Sequence, residues 1–469
     1  MIRSAVLILS GNLASAAALM LRTLLVSRLI SLEDFGIASC FVLALALVEM
    51  VTALGLQQQI TQSSRGDDPD FQAALHGISV LRGAVAAVVL LALAHPLAWF
   101  FDVPQALWAF RLIAILPLLA GFTHLDAQRL TRGGRFAPGA VVAVLPPFMS
   151  LAAIWPLFHA FGDYRVLLFS IMIQMLLGIV MSHLVAQRRY RIRLDAEICR
   201  SAMRFGAPIM LSGGLMFLVF NGERAIIGNA LGLEELALFS LAMSLTLTPA
   251  LVMSRSMANL FLPRLAGARH SAEYQTLLLA NMRCHLLLGV GLVAGVAIFG
   301  GPFIQWAVGP KYEAAIPLLI GLALLQSFRV FEGGCAVAAL AVGRTMNEVF
   351  ANLVRVALLP VAWIIVAGGG GVTDVILIGT VGEAGGFAIG LALLVRQQKP
   401  PLKPLLGSVA LAVMLLGLSY CFAGMIDWLT GVALMALGAL AVLAKFTLIE
   451  PVRTRSFAGK ACPKAPHRG

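Results

Sequence analysis

Charge is the scarcest commodity in this chain. Asp, Glu, Lys and Arg make up only 12% of 469 residues, too little to cover a soluble globule of this length. The six cysteines, Cys40, Cys199, Cys284, Cys335, Cys421 and Cys462, include no CxxC pair. That excludes a disulfide framework or a zinc ribbon, and they read as reduced or lipid-buried thiols. No HExxH, Walker A or nucleophile-elbow pattern occurs, and the glycines at 368–371 have no strand before them. No catalytic residue, metal or cofactor is therefore assigned, and any energy must come from an ion gradient or from removal of product. Ten-residue alternating strands are lacking too, which argues against a membrane β-barrel.

What the chain has is apolar length. It is 60% hydrophobic, its mean hydropathy is +0.93, and its apolar runs are continuous over about 20 residues, the length of a membrane-crossing helix. The fold class is an all-α polytopic membrane protein with about 14 transmembrane helices. They are expected near 1–30, 36–60, 77–100, 106–128, 138–160, 164–187, 206–229, 236–262, 284–308, 315–341, 347–367, 372–395, 405–424 and 428–449. The first run resembles a secretory signal, but it continues past Ala14-Ser15-Ala16 and reads as a span. Pro117, Pro146, Pro147, Pro156, Pro249 and Pro360 fall inside spans, where they are expected to kink or break helices.

The net charge of +12 suggests nucleic acid only if a soluble basic face exists, and none does. Every second loop instead collects the arginines and lysines: Arg129, Arg132 and Arg135; Arg188 to Arg204; Arg264, Arg269 and Arg283; Arg344; Arg396, Lys399 and Lys403; and the tail. The other loops are short and acidic, with Lys311 the single basic exception. The positive-inside rule places both termini in the cytoplasm. The longest basic loop divides the chain into an N-terminal six-helix bundle (1–187), a basic cytoplasmic linker (188–204), a second bundle (205–396), two additional helices (397–450) and a basic tail (451–469). The linker reads as a topogenic loop that contacts anionic lipid.

An internal repeat agrees with that division. The segment from Arg22 to Gly36 can be laid against the one starting at Arg224, placing an arginine at similar depth and a Leu-Glu-acidic turn in matching loops. Two parallel six-helix units would then face each other across a central cavity. The span from Arg204 to Gly232 carries Asn221, Glu223 and Arg224 deep inside, where each charge costs roughly 2.5–3.5 kcal/mol, so it reads as a functional segment. Glu49, Glu223, Glu332 and Glu383 are candidates for proton or sodium coupling; their duller reading is permanent pairing with arginines. Arg329 and Glu332, three apart on one helix, are expected to neutralise each other. Arg28, Arg82, Arg111 and Arg255 lie near span ends, where arginines snorkel. Gly382, Gly386 and Gly390 form a stripe suited to close helix packing.

The stretch from Leu29 to Gln62, with its Asp34-Phe35-Gly36 and Leu54-Gly55-Leu56 elements, resembles the opening of the polysaccharide-biosynthesis flippases of the multidrug/oligosaccharidyl-lipid/polysaccharide (MOP) exporter superfamily. The entry from Arg204 to Pro208 and the segment from Gly228 to Leu245 are similar to the same family's second-repeat opening. The chain departs from the pattern at Glu223, where the family often has aspartate, and at Leu238-Phe239-Ser240. The resemblance implies transport of an undecaprenyl-diphosphate-linked oligosaccharide across the bilayer by alternating access, with a polysaccharide polymerase or other assembly proteins as partners. Arg22, Arg224, Arg255, Arg329 and Arg355 would then supply positive charge for the diphosphate. Asn221, Gln174 and Asn352 are among the groups that would bind sugar hydroxyls. Two alternatives stay open: an ion-coupled multidrug or organic-cation antiporter of the same superfamily, and a membrane polysaccharide polymerase or ligase. The short acidic loops weigh against the latter.

Overall fold

The computed structural model describes residues 2–421, with no side-chain account before Ser10. The span expected at 428–449, the tail and Cys462 lie outside the described residues. Thirteen helical stretches carry the described chain: α1 (Ile2–Leu29), α2 (Leu32–Val51), α3 (Pro69–Phe100), α4 (Pro104–Gly121), α5 (Ala137–Phe161), α6 (Arg165–Leu184), α7 (Ala196–Ala230), α8 (Leu233–Gly267), α9 (Tyr274–Ala307), α10 (Ala315–Ala341), α11 (Met346–Ala367), α12 (Val372–Gln398) and α13 (Leu402–Cys421). From α2 onward each of these twelve is long and apolar enough to cross a membrane. No strand occurs among the described residues.

The chemistry of the chain accounts for these elements. Helices that close their own backbone hydrogen bonds are the economical way through hydrocarbon, and their outer faces are apolar: Val88, Leu211 and Ile364 are each more than 60% exposed. Such faces belong in lipid, and the protein is a multi-pass membrane protein. Starts are set by local caps. The Ser31 hydroxyl accepts from the Asp34 amide at the head of α2, and the Asp195 carboxylate accepts from the amides of Glu197 and Ile198 at the head of α7.

The prolines divide into two groups. Interruptions fall at Ala114–Ile115, just before Pro117; at Ala153, before Pro156; and at Leu358, before Pro360. In each case the missing amide and the ring's clash with the preceding turn undo the ladder. Pro146, Pro147 and Pro249 remain inside continuous helices and do not break them. The breaks in α5 and α11 occupy the fifth helix of each set of six, so the internal repeat extends to the helix defects.

Helices α1–α6 pack mainly on one another, apart from α2, as do α7–α12, with α10 at the centre of the second set against α8, α9 and α12. The two sets meet where α2 lies against α7 and α8, and α13 leans on α9. Gly36 and Gly213 permit the close approach, since a Cβ at the first would meet the carbonyl oxygen of Leu233 and one at the second that of Met50. The matched Leu-Glu-acidic turns of the repeat are therefore packed together.

Two boundaries move. The run expected at 36–60 ends at Val51, because Gly55 in the left-handed region (φ 63°) begins a separate short helix, Leu56–Gln62. The linker expected over 188–204 is half helix, since α7 starts at Ala196. The side chains of its extended part are mostly exposed, but its backbone is held to the first helix set. Ring nitrogens of His76 and His124 lie 3.0 Å from the carbonyl oxygens of Arg191 and Arg188, while their other nitrogens accept from the amides of Leu125 (3.1 Å) and Asp126 (3.1 Å). Both imidazoles are thereby neutral, each in one tautomer. Tyr190 stacks over His76 at 4.4 Å between ring centres. The amide of Gln187 donates to the buried Asp126 carboxylate at 2.8 Å. Burial would raise the pKa of Asp126, but hydrogen bonds from Arg129, Gln187 and Gln72 outweigh it and lower the value to about 2. Burial also pushes the Tyr190 phenol up to about 12.

Candidate functional site

The most charged region inside the helical core lies in the second set. Arg329 on α10 reaches Glu383 on α12, with Nε at 2.9 Å and Nη2 at 2.5 Å from Oε1. Arg355 on α11 approaches the other oxygen of Glu383 at 2.8 Å and Glu332 at 3.7 Å. Glu383 thus bridges two guanidinium groups while its side chain is only 3% exposed. Neutral side chains complete the coordination. Arg355 donates to Asn352, and Arg329 donates to Gln326 at 3.1 Å while lying 4.7 Å from the ring centre of Phe220. Burial at this depth requires such pairing, because an isolated ion in a low-dielectric interior is far too costly.

These contacts correct one expectation. Arg329 and Glu332 do not neutralise each other; each finds its partner on another helix. The glycine stripe supplies the reason. A Cβ on Gly386 would sit 3.0 Å from Arg355 Nε, and one on Gly390 would sit 3.3 Å from Cys335 Cβ. With hydrogen there instead, α12 closes on α10 and α11, bringing Glu383 between the two arginines. Arg329 and Arg355 are consequently neutralised cations.

Glu223 on α7 stands at the edge of this cluster. Its carboxylate packs against Gly379 of α12, and it shares the lining of a small cavity with Arg355 and Glu383. Among the described residues it makes no ion pair within 4 Å. Arg224 donates weakly to Asn221 at 3.5 Å, and its buried Nε has no partner. Asn221 and Glu223 are buried.

Arg22 belongs to a different niche, in the first set. It donates to Gln174 of α6 and, at 3.4 Å, to Ser150 of α5, and its Nε is buried without a partner. Glu49 on α2 interacts electrostatically with Arg82 on α3. Arg255 on α8 is exposed, with no hydrogen bond or ion pair to the described residues. The expected residues therefore form two groups. Arg329, Arg355, Glu332, Glu383 and Glu223 are brought together, with Asn221 and Arg224 beside them, whereas Arg22, Glu49 and Arg255 are placed separately. Sequence reasoning missed Ser150 and Phe220, since nothing in their spacing marks a contact made between helices, and Gln326, which its i,i+3 spacing to Arg329 on α10 could have marked.

The acidic-loop ends of the two sets are tied together. Arg28 Nη1 donates to the carbonyls of Trp306 (3.0 Å) and Ala307 (3.2 Å) at the end of α9. Lys311 Nζ donates to Arg28 O (2.9 Å) and Ile30 O (2.5 Å) at the end of α1. Each cation thus caps the other set's helix C-terminus, where unsatisfied carbonyls favour positive charge. The anomalous lysine of the acidic loops is explained. Arg28 is a latch residue as well as a snorkelling one.

A family model described as "Polysaccharide biosynthesis protein" matches residues 25–317. The chain belongs to the polysaccharide biosynthesis protein family. A family relative, the amylovoran biosynthesis protein AmsL of Erwinia amylovora, is 23% identical over 301 residues, covering 62% of this chain and 78% of that protein. Solved structures of the same fold include the lipid II flippase MurJ in an inward closed conformation, with a TM-score of 0.71 at 14% identity over 96% of this chain and 98% of that one. An inward-facing multidrug resistance MATE family transporter of the MOP superfamily gives a TM-score of 0.63 at 16% identity over 86% and 95% of the two chains. This polysaccharide biosynthesis protein therefore shares the fold of both structures.

Proposed function

We propose that the protein is a flippase that moves an undecaprenyl-diphosphate-linked oligosaccharide from the cytoplasmic to the periplasmic leaflet of the bacterial inner membrane. Family membership and the transporter fold support the class. The observation that carries the direction of opening is the Arg28–Lys311 latch, which closes the two helix sets on the acidic-loop side. With the basic loops and both termini in the cytoplasm, the structure is closed towards the periplasm, as its likeness to inward-state structures supports. Residues 1–187 and 205–396 act as two bundles that rock about the α2–α7–α8 contact.

The diphosphate is met by arginines still lacking a carboxylate: Arg22, Arg224 and Arg255. Arg329 and Arg355 stay with their carboxylates and order the second bundle. Sugar hydroxyls are taken by Asn221, Gln174 and Asn352. Glu223, unpaired beside a neutralised cluster, is the group best placed to take up a proton or sodium ion, with Glu49, Glu332 and Glu383 as further coupling candidates. The prenyl chain remains in lipid.

The test is transport of a labelled undecaprenyl-diphosphate oligosaccharide between leaflets of proteoliposomes. The parent should move the lipid, and Arg22→Ala and Arg224→Ala should slow movement at least about tenfold, the loss of one charge-assisted contact. If the parent moves no lipid but expels an organic cation against a proton gradient, the antiporter reading replaces this one, with Glu49 and Glu223 as its carriers.

A further inference from the structure

The loop arginines divide into paired and unpaired ones. In the first helix set Arg65 is answered by Asp68 at 2.9 Å, Arg129 by Asp126 at 2.6 Å, Arg132 by Asp67 at 3.7 Å and Arg193 by Asp70 at 3.1 Å, whereas Arg135, Arg188, Arg189 and Arg191 have no carboxylate within 4 Å among the described residues. In the second set Arg269, Arg344 and Arg396 have no carboxylate within 4 Å among the described residues. These three line one recess of about 670 Å³, and no acidic side chain contributes to its wall. They come from three places in the chain: the α8–α9 loop, the α10–α11 loop and the end of α12. Some of this charge complements the helix C-termini that end there, but that role needs no shared recess.

The floor of the recess is a fixed polar frame. Tyr274 Oη donates to Gln398 Oε1 at 2.6 Å, Gln275 Nε2 donates to Gln398 O at 2.9 Å, and Gln398 Nε2 donates to Ala338 O at 3.0 Å. This frame joins the ends of α9, α10 and α12 and leaves one atom over. Gln275 Oε1 is buried without a donor, although its amide nitrogen is fixed by the Gln398 carbonyl. A buried acceptor left unsatisfied costs about 1–3 kcal/mol. The recess thus offers three unpaired guanidiniums, which suit a phosphate, and an acceptor that needs a hydroxyl. Val342 and Leu393 add an apolar wall, and the recess opens at the ends of membrane helices, at headgroup depth.

We propose that this recess binds the headgroup of an acidic glycerophospholipid, its phosphate held by Arg269, Arg344 and Arg396 and its glycerol hydroxyl donating to Gln275 Oε1. The site is separate from the Glu383 cluster and does not depend on what the protein transports. A basic pocket at the end of a helix bundle is a recognised form of lipid site, and occupation would fasten the second helix set to the bilayer surface.

The test uses the purified full chain in phosphatidylcholine nanodiscs doped with spin-labelled phosphatidylglycerol, reading the motionally restricted lipid fraction. The parent should select phosphatidylglycerol over labelled phosphatidylcholine. Replacing all three arginines by glutamine should lower the preference on the order of a hundredfold, at about 1 kcal/mol per basic residue near the surface. Gln275→Leu should narrow the preference for phosphatidylglycerol over phosphatidic acid, which has no headgroup glycerol. Arg65→Gln with Arg193→Gln, which removes equally exposed but paired arginines, should change little. The proposal is overturned if the triple variant retains the parent's preference, or if the paired control loses as much, since binding would then follow overall charge. If inorganic phosphate or glycerol phosphate displaces the lipid at equal occupancy, a soluble phosphate is the ligand and the lipid assignment fails. The arginines are exposed and Gln275 is half-buried, and retained monodispersity with unchanged thermal unfolding confirms that the variants fold.

Discussion

Replacing Arg28 and Lys311 together by methionine should unlatch the acidic-loop side. Methionine keeps the apolar stem of each side chain and removes only the donor head. The two cations make four bonds to carbonyls, at 3.0 and 3.2 Å from Arg28 and 2.9 and 2.5 Å from Lys311. Bonds from a charged donor are worth about 1.5–3 kcal/mol when buried, and Arg28 is exposed, so each cation is discounted to about 1–1.5 kcal/mol. The double variant then loses roughly 2–3 kcal/mol of closed-state preference, a factor of about 30 to 150. Spin labels at the exposed positions Glu33 and Glu313, in a background freed of native cysteines, would report the separation of the two sets by pulsed electron resonance. A longer-distance population should grow in the double variant and only partly in each single one. An unchanged distance distribution in a well-folded double variant would refute the idea that these caps hold the gate.

Three further outcomes follow from the charged cluster and the linker. Glu383→Gln leaves Arg329 and Arg355 buried without their common partner and should cost about 3–5 kcal/mol of stability, seen as a lowered thermal midpoint, whereas Glu223→Gln, which breaks no ion pair, should cost far less while reducing any ion-gradient dependence of transport. Gly386→Ala places a methyl 3.0 Å from Arg355 Nε and should destabilise by about 1–3 kcal/mol through overpacking, a loss that vanishes if α12 can shift. Burial above all holds His124 below its ordinary 6.5, with His183 and Arg129 adding to the effect against the opposing Arg188 carbonyl and Asp126. Its contribution to holding the linker is therefore full above pH 6.5 and lost as pH falls below that value. Protease cleavage within residues 185–195 should rise over that acid range, and a flat profile would count against the histidine clamp.

The helices were legible because the bilayer leaves few choices: apolar length names the span, and loop charge names the side. Even there, α7, α8 and α9 run 34 or 35 residues, longer than their apolar windows suggest, because polar turns continue the ladder beyond the hydrocarbon. The deep charges were legible as a set, but not their pairing. Arg329 lies three residues from Glu332 and 54 from Glu383, and the choice between them was made by how closely α10 and α12 approach over glycine. The clamp was invisible for a related reason. His76, His124, His183 and Tyr190 come from four segments, and each looks ordinary until the chain folds them onto one another. Conversely, the lysine out of place in the charge pattern was a true signal, read only as an exception until its carbonyl partners were known.

The linker clamp bears on how the protein is made. Residues 187–193 follow the six helices of the first set in the chain and leave the ribosome after them. Until then Asp126 lacks the Gln187 amide, and His76 and His124 lack the carbonyls of Arg191 and Arg188. Their assembly is finished by a segment that belongs, by position, to the connection rather than to the helices. A half-protein cut after Leu184 would end with buried polar groups unanswered, whereas one cut after Asp195 would carry its own closure. Co-expressed halves should reunite into a working transporter only from the second cut.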